Sequence, residues 1–554
     1  VSEKGWVGWV LANKAAAGGV AASLVLVTSG LVVVASRSGD KNSASANKVK
    51  ATATTVGEST TTSAATAETT AVGATGVTGP GGTAARSTVT TRRLGTTGTL
   101  PPNISNITDA CVAPKAGYKT KGLDDKSVTI GQLFTESNIL PQQFKPANEG
   151  LQAAVRLLND SGGVCGRKIN LSALSDNGVQ PAGSGSFTDN WNSLKSSIFT
   201  WVGNSSLRDG DTYNQDTPFD QNAKDGTENV PDVGGLALSY GRSQSPYYAG
   251  NVGSISPSLA GGGAFKSIVD EAKSGGGSGK GACKGAGFLY LNEPTGASSD
   301  SAMAGGATIA QPWGGGVSNV KYYQQQLAAT VTQYEQTVAQ MVADGVNCVF
   351  TYADLQSNIN LVEAMANRQV WPPSKCTGPT CFSVVYIPFA GYDAAFYNQA
   401  GDAADNVTTF IPHVPLNETS DASMSTYLRS LAKISGNEGP SSFSIIGYSA
   451  GLMFAKGLAA CGAAPTRKCM MDWLHGLTNF DAGGLLGPIT PFKSTRVNCS
   501  QGCGSFSGRG TYDFKWIFTC SIYLRVGVKN GKRDFYRYSP TPTGYNCDTL
   551  RIVR

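Results

Sequence analysis

Histidine is almost missing from this chain: its 554 residues include two, His413 and His475. No C-x-x-C pair occurs either. A structural zinc site needs convergent Cys and His ligands, so no metal is expected. No cofactor motif appears. Charge is also scarce, at 15% of residues with a net +6. Lys and Arg are scattered rather than grouped in a stripe, which argues against a nucleic-acid partner. From about 41 to 108 large apolar residues are nearly absent, as in "ATATTVGESTTTSAATAETTAVGATGVTG". Such a stretch cannot build a core and reads as a flexible stalk.

What the chain does contain begins with an uncharged run, "AAAGGVAASLVLVTSGLVVVAS" over 15–36, about long enough to span a bilayer. A cleaved signal has a shorter apolar core, so an uncleaved anchor is the expectation, with a signal segment as its alternative. No Cys follows the run closely, which excludes lipid attachment there. The twelve cysteines form an even set and point to disulfides in an oxidising compartment. The close pairs Cys376 with Cys381, Cys461 with Cys469, and Cys499 with Cys503 are the expected local bridges.

From 111 onward, segments of the two regular periods alternate. "SVTIGQLF" reads as a buried strand, and "ANEGLQAAVRLLNDSGG" as a helix with Leu151, Ala154, Val155 and Leu158 on one face. "RKINLSAL" is the next strand. "GAGFLYLN", "TVTQYEQTVAQMVADG", "NCVFTYA", "SNINLVEAMANRQV" and "CFSVVYIPF" continue the alternation. Parallel strands need crossover helices, so the fold class is α/β with mostly parallel sheets and helices on both faces.

Two motifs suggest enzymes. "SGGGSGKGACKG" approximates a phosphate loop, but Ser274 and Gly281 stand where the pattern needs Gly and Ser or Thr. Gly447-Tyr448-Ser449-Ala450-Gly451 fits the G-x-S-x-G elbow of hydrolases, with "FSII" as a possible strand before it. The only later histidine is His475, and Asp472 lies three residues before it, which is poor geometry for an acid orienting that ring. No catalytic residue is therefore assigned.

The order of words along residues 125 to 493 resembles the type I periplasmic binding proteins, specifically the branched-chain amino acid and amide group that serves ABC importers. "VTIGQLF" followed by "EGLQAAVRLLNDSGGVCGRKINL", then "TWVGNSS", "PDVGGLALSYGRS", "SISPSLAGGGAF" and "AGYDAAFYNQAGDAADNVTTFIPHVPL" carry the resemblance. "IGYSAGLMFAKGLAACG" and "MMDWLHGLTNFDAGGLLGPITPF" are similar to the family's late helix and its ending, which puts Ser449 in the first turn or two of a helix.

The resemblance implies two lobes joined by three crossovers. Their expected bounds are an anchor over 1–40, a linker over 41–110, lobe 1 over 111–256 and 411–490, and lobe 2 over 257–410. A disulfide-stapled tail, 491–554, would pack on lobe 2. Ligands of open α/β sheets bind beyond the carboxyl ends of the strands. The candidates there are Glu136, Ser205, Ser206, Ser239 and Tyr240 in lobe 1, and Asn292, Glu293, Tyr352, Asp354 and Phe389 in lobe 2. In the family's amino-acid binders an acidic residue near Pro388 holds the ligand's ammonium. The expected ligand is an amino acid, amide or related compound; Phe389 stands at that position in this chain, which argues against a plain branched-chain amino acid and puts an apolar, aromatic or amide compound on at least an equal footing.

The implied function is a membrane-tethered binding protein that hands a small molecule to an ABC permease. The rival readings are a sensor acting through another membrane partner and a cell-envelope module that has lost its ligand.

Overall fold

The computed structural model describes residues 99–136, 144–178, 183, 185–209, 230–238, 242, 247–251, 281–293, 297–310, 316–487, 492–493, 518–538 and 545–549. The expected anchor over 15–36, nearly all of the linker, Ser239, Tyr240, Cys499 and Cys503 lie outside these residues.

In lobe 1, strand β1 (Ser127–Thr135) leads through helix α1 (Lys145–Asp160) to β2 (Lys168–Asp176). The two strands pair in parallel, from Ser127 opposite Lys168 to Thr135 opposite Asp176. Helix α1 stops at Gly162 and Gly163, both at positive φ. A side chain on Gly163 would stand 2.0 Å from the Arg167 carbonyl, so glycine is required there. Then come α2 (Phe187–Leu194), β3 (Thr200–Val202), β4 (Asp232–Val233) and β5 (Tyr248–Gly250).

Lobe 2 contains β6 (Gly285–Asn292), α3 (Ala297–Ala310), β7 (Asn319–Gln326), α4 (Val331–Ala343), β8 (Cys348–Tyr352) and α5 (Leu355–Asn367). It continues with β9 (Val384–Tyr386), α6 (Ala394–Ala400) and β10 (Thr408–Ile411). The chain then returns to lobe 1 as α7 (Ala422–Leu431), α8 (Ser442–Ala460), α9 (Arg467–Gly476) and β11 (Phe492–Lys493). It ends in β12 (Phe518–Lys529), β13 (Lys532–Arg537) and β14 (Asn546–Thr549).

One sheet has the order β11-β5-β4-β3-β1-β2 and the other β13-β12-β10-β9-β8-β6-β7, with β14 paired to β12. Strand membership shows three passages between sheets: after β5, after β10 and after β11. Core strands are parallel. Only the late strands β11, β12, β13 and β14 pair antiparallel. The β12–β13 hairpin turns at Asn530 and Gly531, both at positive φ, as the Lys-Asn-Gly-Lys sequence leads one to expect.

Helices cover both faces of each sheet. In lobe 1, α1, α7 and α8 bury Leu151, Leu158, Tyr427 and Leu452, while α2 sets Trp191 against Trp201 on the other face. In lobe 2, α4 and α5 bury Tyr334, Met341 and Leu361. The opposite face carries aromatic rings in adjacent strands. Phe288 stacks on Phe350 at 5.0 Å and Tyr386 on Phe410 at 5.6 Å. Disulfides join Cys111 to Cys165, Cys283 to Cys348, Cys376 to Cys381 and Cys461 to Cys469. Cys520 and Cys547 sit opposite one another in the β12–β14 ladder.

The hydrolase-like motif has a packing explanation. "FSII" is not a strand; it belongs to α8, which starts from a capping box between Ser441 and Ser444. A short apolar run buried on all sides has no period that tells helix from strand. Ser449 lies in the third turn, later than the sequence suggests. A Cβ on Gly447 would stand 1.8 Å from the Ala147 carbonyl, and one on Gly150 would stand 1.8 Å from the Ser444 carbonyl. The glycines let two helix backbones touch.

Candidate functional site

The carboxyl ends of the lobe 1 strands carry two buried polar networks. Asp176 accepts hydrogen bonds from the Thr135 hydroxyl at 2.8 Å, the Ser206 hydroxyl at 2.7 Å and the Gly178 N–H at 2.9 Å. Burial raises its carboxyl pKa, and these donors oppose the shift. The second network centres on Arg242. Its Nε and Nη2 donate to the two Asp232 oxygens at 2.8 and 3.1 Å, and Nη1 lies 3.4 Å from Asp209 Oδ2. All three side chains are fully buried. The guanidinium also lies 4.7 Å from the Tyr248 ring centroid. Asn204 joins this network, donating to Asp232 at 3.4 Å and accepting from the Leu133 N–H at 2.7 Å.

Of the lobe 1 candidates, these networks engage Ser206. The Ser205 hydroxyl is buried and lies 3.5 Å from the Gly203 carbonyl. Glu136 is exposed and stands 3.9 Å from Lys145, which pairs with Glu438 at 2.9 Å.

Lobe 2 repeats the pattern with helix caps. Asp354 caps α5, accepting from the Ser357 N–H at 3.1 Å. Glu293 accepts from the Ser298 N–H at 3.0 Å in the first turn of α3. Asn292 is exposed and donates to Gln326 at 3.3 Å. Tyr352 packs against the aromatic face of the sheet, and burial raises its phenol pKa well above the usual range.

Among the described candidates, Phe389 alone reaches across the lobes. Its ring lies 5.8 Å from Phe443 of α8, which meets Phe144 at the start of α1 edge-on at 5.2 Å. Leu207, Leu236, Leu238 and Ile446 from lobe 1 and Leu327 from lobe 2 complete the cluster. Each of these residues follows a strand's carboxyl end or lies at the start or in the first two turns of a helix. The sequence reading missed all but Phe389 because it sought polar groups. The available signal was apolar residues in loops directly after strands, where exposure would otherwise be costly.

The second passage between lobes lies beside this cluster. His413 is fully buried, and its Nδ1–H donates to the Val414 carbonyl at 2.8 Å. That fixes the neutral tautomer, so Nε2 accepts from the Ser442 hydroxyl at 2.9 Å. Burial pushes the imidazole pKa down to about 4, with the Val414 carbonyl opposing.

The periplasmic binding protein family matches residues 127–499, about two thirds of the chain. The chain belongs to this family. No curated protein matches its sequence. Among solved structures, a fatty acid ABC transporter substrate-binding protein from Thermomonospora curvata is 12% identical with a TM-score of 0.55, covering 77% of this chain and 96% of that one. A possible leucine/isoleucine/valine-binding protein from Rhodopirellula baltica is 15% identical at 0.54, covering 76% and 98%. A solute-binding protein of an ABC transporter from R. palustris, in complex with 4-hydroxybenzoate, is 14% identical at 0.53, covering 74% and 96%. At these identities the likeness is one of fold. This periplasmic binding protein therefore shares the two-lobed α/β architecture of ligand-binding transport proteins.

Its G-x-S-x-G serine has no elbow. The Ser449 hydroxyl is fully buried, donates to the Ile445 carbonyl at 2.7 Å and accepts from Asn251 Nδ2 at 2.6 Å. A nucleophile needs an exposed oxygen at a strand-to-helix turn.

Proposed function

We propose that this protein is an extracytoplasmic solute-binding protein, tethered through residues 15–36, that captures a small molecule with an apolar or aromatic body and presents it to an ABC permease. One observation carries the reading. Among the described residues, the side chains of the strand-end cluster between the lobes are apolar, and Phe144, Phe443 and Phe389 form a continuous aromatic path across it. The described polar groups of the strand ends are mostly occupied within their own lobe. A ligand that separates these rings and is then enclosed by them replaces apolar contact with apolar contact. Burying one such side chain is worth about 1.5–3 kcal/mol. A zwitterionic amino acid would find Phe389 where its ammonium needs an anion, and an unpaired buried charge is costly. The fatty acid and 4-hydroxybenzoate named for two structural neighbours are of the favoured chemical class. Closure would follow because only the closed state offers both halves of the aromatic path to the ligand.

The test is a thermal-shift screen of the oxidised protein with benzoate, 4-hydroxybenzoate, medium-chain fatty acids and leucine. A ligand at about a hundred times its dissociation constant adds roughly 2.7 kcal/mol. That raises the melting temperature of a domain this large by a few degrees. Stabilisation by an aromatic or fatty acid is expected. Leucine as the strongest hit would sink the argument from Phe389. No hit at all would favour the rival reading of a cell-envelope module that has lost its ligand.

A further inference from the structure

Helix α8 touches two of the three passages between the lobes, and it does so through two serine hydroxyls. The first passage begins at Asn251, directly after β5. Asn251 is fully buried, and its Nδ2 donates to Ser449 Oγ at 2.6 Å and to the Ile446 carbonyl at 2.9 Å. Its Oδ1 accepts from the Gly235 N–H at 3.0 Å. The amide is thus locked on both sides to lobe 1. The second passage begins after β10, at Pro412, and His413 is held by Ser442 at 2.9 Å. Residues 412–414 also pair with the segment before β11: Val414 N–H donates to Leu485 O and Gly487 N–H to Pro412 O, both at 2.9 Å.

From the other lobe, Tyr392 grips the same passage. Its ring centroid lies 5.7 Å from His413, and its hydroxyl accepts from the Leu416 N–H at 2.8 Å. Only His413, Val414 and Pro415 lie between Pro412 and Leu416, and both prolines have a fixed φ. A hinge works by concentrating rotation in a few backbone torsions. The passage is gripped at one point by lobe 1 and at a nearby point by lobe 2, which leaves few torsions free.

We infer that Ser449 and Ser442 are hinge-positioning residues: by pinning Asn251 and His413 to α8, they fix where the two passages begin to turn and so set the balance between open and closed lobes. The serine of the hydrolase-like motif thereby acquires a role in the mechanics of binding. Without its hydroxyl, Asn251 loses one of its three partners, and the pivot can slip back toward β5. Without Ser442, the His413 Nε2 has no donor, and the ring is free to turn with the passage.

The experiment reads the lobes without any ligand, so its outcome is independent of the solute proposed above. Spin labels are placed by non-cysteine chemistry at exposed Asn192 in lobe 1 and exposed Gln340 in lobe 2 of the full chain. Interlobe distance distributions are then measured by double electron–electron resonance. Ser449→Ala and Ser442→Ala are each expected to shift or broaden the distribution relative to the parent. Asn251→Ala removes all three bonds and should move the distribution at least as far as Ser449→Ala, and the Ser449/Asn251 double variant should move it no further than Asn251→Ala. Ser441→Ala is the control. It removes the cap of the same helix without touching either passage, so it should lower the melting temperature by a few degrees and leave the distribution in place. The inference is overturned if Ser449→Ala and Ser442→Ala behave like Ser441→Ala, losing stability with the distance distribution unchanged.

Discussion

The two lobes share one architecture and finish their strands differently. Lobe 1 closes its strand ends with buried charge: Arg242 between Asp232 and Asp209, and Asp176 among hydroxyls. Lobe 2 uses ordinary helix caps at its strand ends and lines one sheet face with rings. A buried ion network holds its members in one geometry, because each polar atom needs its partner. A row of rings is held by shape and tolerates rearrangement. Among the described residues, the strand ends of lobe 1 are thus held by ion partners that each require one geometry, and those of lobe 2 by caps and ring packing. This fits the placement of both hinge-pinning serines on a lobe 1 helix.

The comparison can be broken most severely at Arg242. Arg242→Ala leaves two fully buried carboxylates without their guanidinium and should cost about 3–5 kcal/mol, read by urea denaturation. Loss under about 1 kcal/mol would mean that the network is not a rigid core. Next comes the acid response of His413. Its folded-state pKa of about 4 lies below the ordinary 6.5. The stability it contributes is therefore present above pH 6.5 and lost as pH falls toward 4, a span of about 3 kcal/mol. His413→Gln should flatten that part of the stability–pH curve. Gly447→Ala forces a methyl group against the Ala147 carbonyl and should cost about 1–3 kcal/mol by the same denaturation assay. In lobe 2, Phe350→Leu should cost under about 1.5 kcal/mol, because neighbouring rings can repack. Smallest is Asp354→Ala, at about 1 kcal/mol for a lost helix cap. If Phe350→Leu proved as costly as Arg242→Ala, the contrast between the lobes would disappear.

Much of the fold was legible because local signals agreed. Strand β6 matched "GAGFLYLN" residue for residue, since a run buried on both faces reads plainly. The polar strand β7, "NVKYYQQQ", gave no such run and was missed. Helix α3, "ASSDSAMAGGATIA", has too few large residues to show an amphipathic stripe. The site was less legible than the fold. Strand-end hydroxyls and acids look like ligand groups in a sequence, whereas Ser206 and Asp354 satisfy atoms in their own lobes. Phe144 and Phe443 lie about three hundred residues apart, and nothing local marks them as neighbours.

The position of β12 bears on biogenesis. Ile411 of β10 pairs with Ile522, so one edge of the second sheet receives its neighbour only after most of lobe 1's remaining helices have been synthesised. Until then β10 presents unpaired backbone groups, the usual template for edge-to-edge aggregation. An exported chain must cross its membrane and keep that edge from other chains until the final hairpin arrives. Truncation before residue 518 should therefore harm secretion yield more than it harms any contact in the cleft.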